Sequence, residues 1–151
     1  FYPYLKLAMS VLRQASMTSV DDNDLEMVEY LTSLHEAILE SCTTITHSLQ
    51  DVVDGKVPPE MVPESLAEYA NFMIAFAAFI LSSVKGMNTE SAAARRKQAV
   101  ELMGDVASIF GKLDSSVRGM MESQLKFELQ NMRATADPEL LEALQYTLSV
   151  I

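Results

Sequence analysis

The sequence predicts an all-α protein, an α-solenoid of about six helices in three antiparallel pairs. Three observations carry that expectation. The composition is helix-forming: 49 % of the 151 residues are hydrophobic, Met is frequent at ten, and Gly and Pro are held to five each. Apolar residues recur at gaps of three and four, the spacing that aligns them on one helix face. The breaks between these periodic stretches are short and rich in cap and turn residues, and no stretch alternates as a strand does.

The first helix is expected at about 3–17, seamed by Leu5, Ala8, Leu12 and Ala15. TSVDDND ends it. There Asn23, with Glu26 three residues on, has capping-box spacing, and Asp21 and Asp22 are competing caps. The second helix, about 23–51, runs on Val28, Leu31, Leu34, Ile38, Cys42, Ile45 and Leu49. DVVDGKVPPEMVP, with one Gly and three Pro, breaks it with a loop that has room for one helical turn. The third helix, about 64–84, is apolar on most sides and is expected to lie sandwiched between neighbours. KGMNTES is a turn, with Gly86 as C-cap and Asn88 or Thr89 as the next N-cap. The fourth helix, about 90–110, is seamed by Val100, Met103, Val106, Ala107 and Phe110, and Gly111 closes it. The fifth, about 115–133, uses Val117, Met121, Leu125, Leu129 and Met132. In ATADPE, Asp137 caps and Pro138 takes the first position of the sixth helix, about 138–150, seamed by Leu140, Leu141, Leu144 and Leu148.

Pairing the helices across their turns gives units at about 3–51, 64–110 and 115–150 within a single segment, 1–151. That is the scale of HEAT or armadillo-like repeats, whose period is ~40–47 residues. Stacked pairs bury their faces on their neighbours; a globular six-helix bundle is the alternative that periodicity leaves open. The chain opens on FYPYLKLAMSVL, with no initiator Met and no signal-peptide pattern, and reads as a piece of a longer protein.

Charge narrows the function. Twenty-one acids against 11 bases give a net charge of −10, which argues against nucleic acid and favours a basic partner. LAEYANFMIAFAAFIL is shorter than a ~20-residue bilayer span and contains Glu68 and Asn71, so a core helix is expected rather than membrane insertion. Cys42, the single cysteine, lies in the apolar seam and reads as a buried small hydrophobe. His35-Glu36 begins a zinc-binding HExxH motif, but Leu39 stands where the second His belongs. His35 and His47 read as exposed single histidines. Asp22, Asp24 and Glu26 alternate like a calcium loop, but Met27 and Ser33 replace its Gly and Glu. No phosphate-binding, hydrolase or dinucleotide motif and no di-iron pattern is present. The expectation is a non-enzyme without catalytic residues, cofactor or metal. Arg95, Arg96 and Lys97 read as a solvated helix face.

The informative feature is the second helix. Between Gln14 and Val84 the only Lys or Arg is Lys56, and Glu26, Glu29, Tyr30, Ser33, Glu36, Glu40 and Thr43 or Thr44 recur at gaps near three and four, opposite the apolar seam. Such a stripe either solubilises or receives a cationic segment, which gains by relieving the repulsion.

Residues 4–49 give this stretch a family likeness. Tyr4-Leu5, Gln14-Ala15-Ser16, Val20-Asp21, Met27-Val28, Tyr30-Leu31 and Leu39-Glu40, with Leu12, Asp24, Leu34, Glu36, Thr44, Ile45 and Leu49 between them, resemble the C-terminal part of the importin-beta (karyopherin-beta) family of nuclear import receptors. Gly104-Asp105 and Phe110-Gly111 extend the likeness. The resemblance implies HEAT repeats whose second helices line a concave surface, here those starting near Asn23, Glu90 and Pro138. It implies an acidic face that binds the basic importin-beta-binding helix of importin alpha or a basic import signal. RanGTP and Phe-Gly nucleoporins would engage the full receptor, which works in cytoplasm and nucleus and at the pore of the nuclear envelope. Carried over residue by residue, Glu29, Glu36 and Glu40 are the first candidates, and Asp22, Asp24 and Glu26 the second. The family stacks a Trp of its last inner helix on the bound basic helix; this chain has no Trp, and Tyr146 stands near that place. The other reading is a structural repeat scaffold or end-cap for a different partner, its acids serving only solubility.

Overall fold

The computed structural model describes residues 2–61 and 64–151, and every regular element among them is helical. The opening residue and residues 62–63 of the expected loop lie outside the described residues. A 3-10 turn (Tyr2–Tyr4) leads into α1 (Leu5–Ser16); α2 (Leu25–Ser48) and the single turn α3 (Gln50–Val53) follow. After a second 3-10 turn (Pro59–Met61) come α4 (Leu66–Ser83), α5 (Glu90–Leu113), α6 (Ser115–Met132), a third 3-10 turn (Arg133–Thr135) and α7 (Pro138–Val150).

The long helices form three pairs, α1/α2, α4/α5 and α6/α7, in two layers. The first helices α1, α4 and α6 make one layer; the second helices α2, α5 and α7 make the other, with α5 at its centre. The second helices run parallel: Glu36 and His47 of α2 meet Ser91 and Asp105 of α5 in that order, and Lys97 and Asp105 meet Glu139 and Tyr146 of α7. This is the two-layer repeat solenoid that the sequence predicts. One core runs through it, from Leu5 and Met9 through Ile38, Cys42, Met73, Met103 and Phe110 to Met121 and Leu144.

Local chemistry sets the boundaries. Asp24, not Asn23, Asp21 or Asp22, caps α2: its Oδ1 accepts from the Met27 amide at 3.2 Å, while Asn23 is held by Asp21. Of the two candidates before α5, Thr89 is the cap, accepting from the Ala92 amide at 3.1 Å. Asp137 caps α7, with Pro138 in its first turn. Gly86 takes φ +77° in the α4–α5 turn, a conformation that costs glycine least. Gly111 does not close α5. The helix runs on to Leu113, and Asp114 then turns extended to cap α6.

Three further expectations are corrected. The third predicted helix, α4, is not sandwiched all round. Met73, Ala77 and Ile80 are fully buried, yet Asn71, Ala75 and Phe79 face outward, with Phe79 50 % exposed. An outer-layer helix has α5 behind it and neighbours on its flanks, which leaves one side open. By length and composition alone, α4 is also apolar enough to cross a membrane. His35 is buried, 6 % exposed, edge-on to the rings of Phe76 and Phe79. The basic run is no solvated face. Arg95 is 8 % exposed, Arg96 donates to the Val84 and Met87 carbonyls, and Lys97 pairs with Glu101 and Glu139.

Candidate functional site

The site is built on the free face of the second-helix layer. At 100° per residue, gaps of seven, four and seven bring Glu29, Glu36, Glu40 and His47 onto one narrow line of α2. That line lies opposite the buried Ile38, Cys42 and Ile45. Glu29 and Glu40 are exposed; Glu36 is half-buried and its Oε1 accepts from the Ser91 hydroxyl at 3.5 Å. Glu26 sits one turn earlier and slightly off the line, and Asp22 and Asp24 lie at the exposed N-terminal end. Asp24 has a structural task as the α2 cap. Among the described residues, no ion pair engages any of these six acids.

Tyr146 is not on this line. It sits two helices away on α7, 40 % exposed, and Asp105 joins the two places. One carboxylate oxygen of Asp105 lies 2.8 Å from His47 Nε2, and the other accepts from the Tyr146 hydroxyl at 3.1 Å. Asp105 thus ties α2, α5 and α7 together across the face. Partial burial pushes the Tyr146 phenol above its usual range, aided by the Asp105 charge. Gly104 makes this approach possible: a Cβ there would stand 2.6 Å from Tyr146 Cε1 and 2.7 Å from Thr147 Oγ1.

Between α5 and α7 lies a shallow cleft of ≈ 370 Å³, lined by Glu101, Asp105, Glu139, Glu142, Lys97 and Tyr146. The acidic surface therefore continues from α2 over all three second helices. Sequence reasoning missed Glu101, Asp105, Glu139 and Glu142, because acids on separate helices show no common period. The usable signal was the alignment of the second helices themselves. A larger cleft, ≈ 740 Å³, lies at the opposite edge between the α4–α5 and α6–α7 turns. Its charges are mixed, Lys85 and Arg96 against Glu128 and Asp137, and Arg96 is spent on holding the turn.

Other reactive groups are sequestered. Cys42 is fully buried and burial pushes its thiol up to about 12, which leaves it protonated and inert. Among the described residues no three His, Cys, Asp or Glu side chains converge on a metal position.

Stacked helix pairs presenting a continuous charged face define a class: helical-repeat scaffolds that bind other macromolecules. A family model described as "Importin subunit beta-1-like, TPR repeats" matches residues 1–129, and the chain belongs to that family. It is part of a nuclear transport receptor, in a family of receptors rather than enzymes that binds transport partners and shuttles between nucleus and cytoplasm. The family's description names TPR repeats where the sequence spacing suggested HEAT repeats; both are antiparallel helix pairs stacked in two layers. Tyr146 and the rest of α7 lie beyond the matched stretch. No solved structure gives a significant match.

Proposed function

We propose that the free face of the second-helix layer docks a basic segment during nuclear import: the importin-beta-binding helix of importin alpha or a basic signal on cargo. The observation that carries this reading is the row Glu29, Glu36 and Glu40, three carboxylates on one line with no cation paired to them among the described residues. Glu101, Glu139 and Glu142 continue the field toward α7, where the exposed ring of Tyr146 offers a guanidinium a flat surface. In this reading the chain is one repeat segment of a longer receptor, and RanGTP and Phe-Gly nucleoporins act on the whole receptor at the nuclear pore. Tyr4, Leu7 and Val11 support that continuation. They form an exposed apolar row on the side of α1 turned away from Arg13, which reaches α4, and a preceding helix pair would cover them.

The test is a titration of a labelled basic import helix against the chain and its E29K/E36K/E40K variant, at low and physiological salt. Saturable binding, weakened by salt and lost in the variant, is expected. Equal affinity of the two chains would transfer the acids to the solubilising role of a structural scaffold.

A further inference from the structure

The turn joining α1 to α2 carries a group that the docking face does not use. Thr18 and Ser19 are both exposed there, outside any helix. The Thr18 amide is still held to the end of α1 by the Ala15 carbonyl at 3.1 Å, so Ser19 is the first residue free of that helix. Among the described residues, no hydrogen bond engages the Ser19 hydroxyl, whereas Ser16, Ser48, Ser83 and Ser149 each donate theirs to a carbonyl three residues back. Asp21, Asp22 and Asp24 follow at +2, +3 and +5, all exposed. The segment that holds them is lightly fixed: the Asp24 amide donates to the Asp21 carbonyl at 3.1 Å, and the Asn23 amide to Asp21 Oδ1 at 3.0 Å. Opening these and a third exposed bond, from Asn23 Nδ2 to Asp21 Oδ1 at 3.2 Å, extends Ser19 to Asp22 as one strand, with Asp24 kept as the α2 cap.

We propose that Ser19 is a phosphorylation site for an acid-directed protein kinase, whose basic substrate groove reads Asp21 and Asp22. Kinases select substrates largely by such charge patterns. A base-directed kinase has nothing to read, since no Lys or Arg occurs between Arg13 and Lys56, and Val20 at +1 excludes a proline-directed one. In the reaction the Ser19 Oγ attacks the γ-phosphorus of ATP. The new O–P bond replaces the bond to the β,γ-bridging oxygen, ADP leaves, and the hydroxyl proton passes to the kinase's base. The product adds about −1.5 to −2 charges at pH 7 just ahead of α2. Its effect on docking rests on the proposed function; the modification does not.

The test is incubation of the chain with casein kinase 2, an acid-directed enzyme, and labelled ATP, followed by peptide mass spectrometry. One phosphate per chain is expected at Ser19, absent from Ser19→Ala, with the initial rate lowered about tenfold in Asp22→Asn because a charge-reading contact is lost. Phosphate only at another residue, no incorporation, or an unchanged rate in Asp22→Asn overturns the proposal. Both substitutions lie in an exposed turn, and matching helical circular dichroism of the variants keeps unfolding out of the comparison.

Discussion

Replacing Gly104 by Ala tests how the third helix pair is held. The added methyl would stand 2.6 Å from Tyr146 Cε1 and 2.7 Å from Thr147 Oγ1, against an ordinary carbon separation of about 3.5–4.0 Å. α7 would have to retreat by about 1 Å, and overpacking of this kind costs roughly 1–3 kcal/mol. The retreat also strains the buried hydrogen bond from the Thr147 hydroxyl to the Val100 carbonyl, 2.8 Å long. Losing it costs about 1–3 kcal/mol more, because the buried Thr147 hydroxyl is left without its acceptor. Alanine returns about 1 kcal/mol through its better helix propensity. The balance is a loss of roughly 3 kcal/mol, which urea denaturation followed by circular dichroism would read as a lower midpoint at unchanged slope. A variant as stable as the parent would mean that α7 does not rest on α5 at this glycine, and the tie from Asp105 to Tyr146 would have to be abandoned with it.

Gly111, seven residues on in the same helix, gives the opposite expectation. Its added methyl meets Cγ, Cδ and Nε of Arg118 alone, and that exposed side chain can turn to another rotamer at a cost of about 1 kcal/mol, which the better helix propensity of Ala offsets, so Gly111→Ala should be close to neutral in the same assay. Asp24→Ala should cost about 1 kcal/mol through loss of the α2 cap, and Asn23→Ala distinctly less, read from paired thermal melts. His35 supplies a pH dependence: burial, then the Arg95 charge, holds its imidazole below the usual histidine value of about 6.5. The folded state therefore favours neutral His35, so its contribution is complete above pH 6.5 and is lost as pH falls through the folded value. Denaturation at pH 7.5 and 5.5 should show a steeper loss for the parent than for His35→Gln, and equal losses would remove His35 as the cause.

The helices were legible because each is amphipathic, and a buried seam writes its period into the chain. Val100, Met103, Val106, Ala107 and Phe110 were read correctly for this reason, as were Asp137 and Pro138, whose capping chemistry is local. α4 misled because an apolar residue in an outer layer has the same identity whether a neighbour covers it or not; Phe79 carries no mark of its exposure. His35 and Arg95 misled in the opposite sense. Polar side chains are enclosed when packing demands it, and that demand comes from Phe76 and Phe79, more than forty residues from His35. At the candidate site, the α2 row was visible as a periodicity, whereas the bridge from His47 through Asp105 to Tyr146 depends on the order in which three helices lie side by side.

That division also explains why a helix of like charges is stable. Glu36 and Glu40 are about 6 Å apart along α2, and in water two such charges repel by roughly 0.7 kcal/mol, less once salt screens them. On the opposite face Ile38, Cys42 and Leu49 are at most 2 % exposed. Burying a side chain of the Leu or Ile kind contributes about 1.5–3 kcal/mol, an upper figure for the folded chain as a whole. Burial on one face outweighs repulsion on the other by close to an order of magnitude, so α2 folds whatever charge its free face bears. Reversing Glu29, Glu36 and Glu40 to Lys should then leave stability within about 1 kcal/mol of the parent. Its effect on a basic partner is larger: three attractions of about 0.5 kcal/mol become three repulsions of similar size, about 3 kcal/mol or roughly a hundredfold in affinity at low salt. A variant that binds weakly because it has unfolded would contradict this reasoning; one that melts like the parent and no longer binds would locate the charge requirement on the face itself.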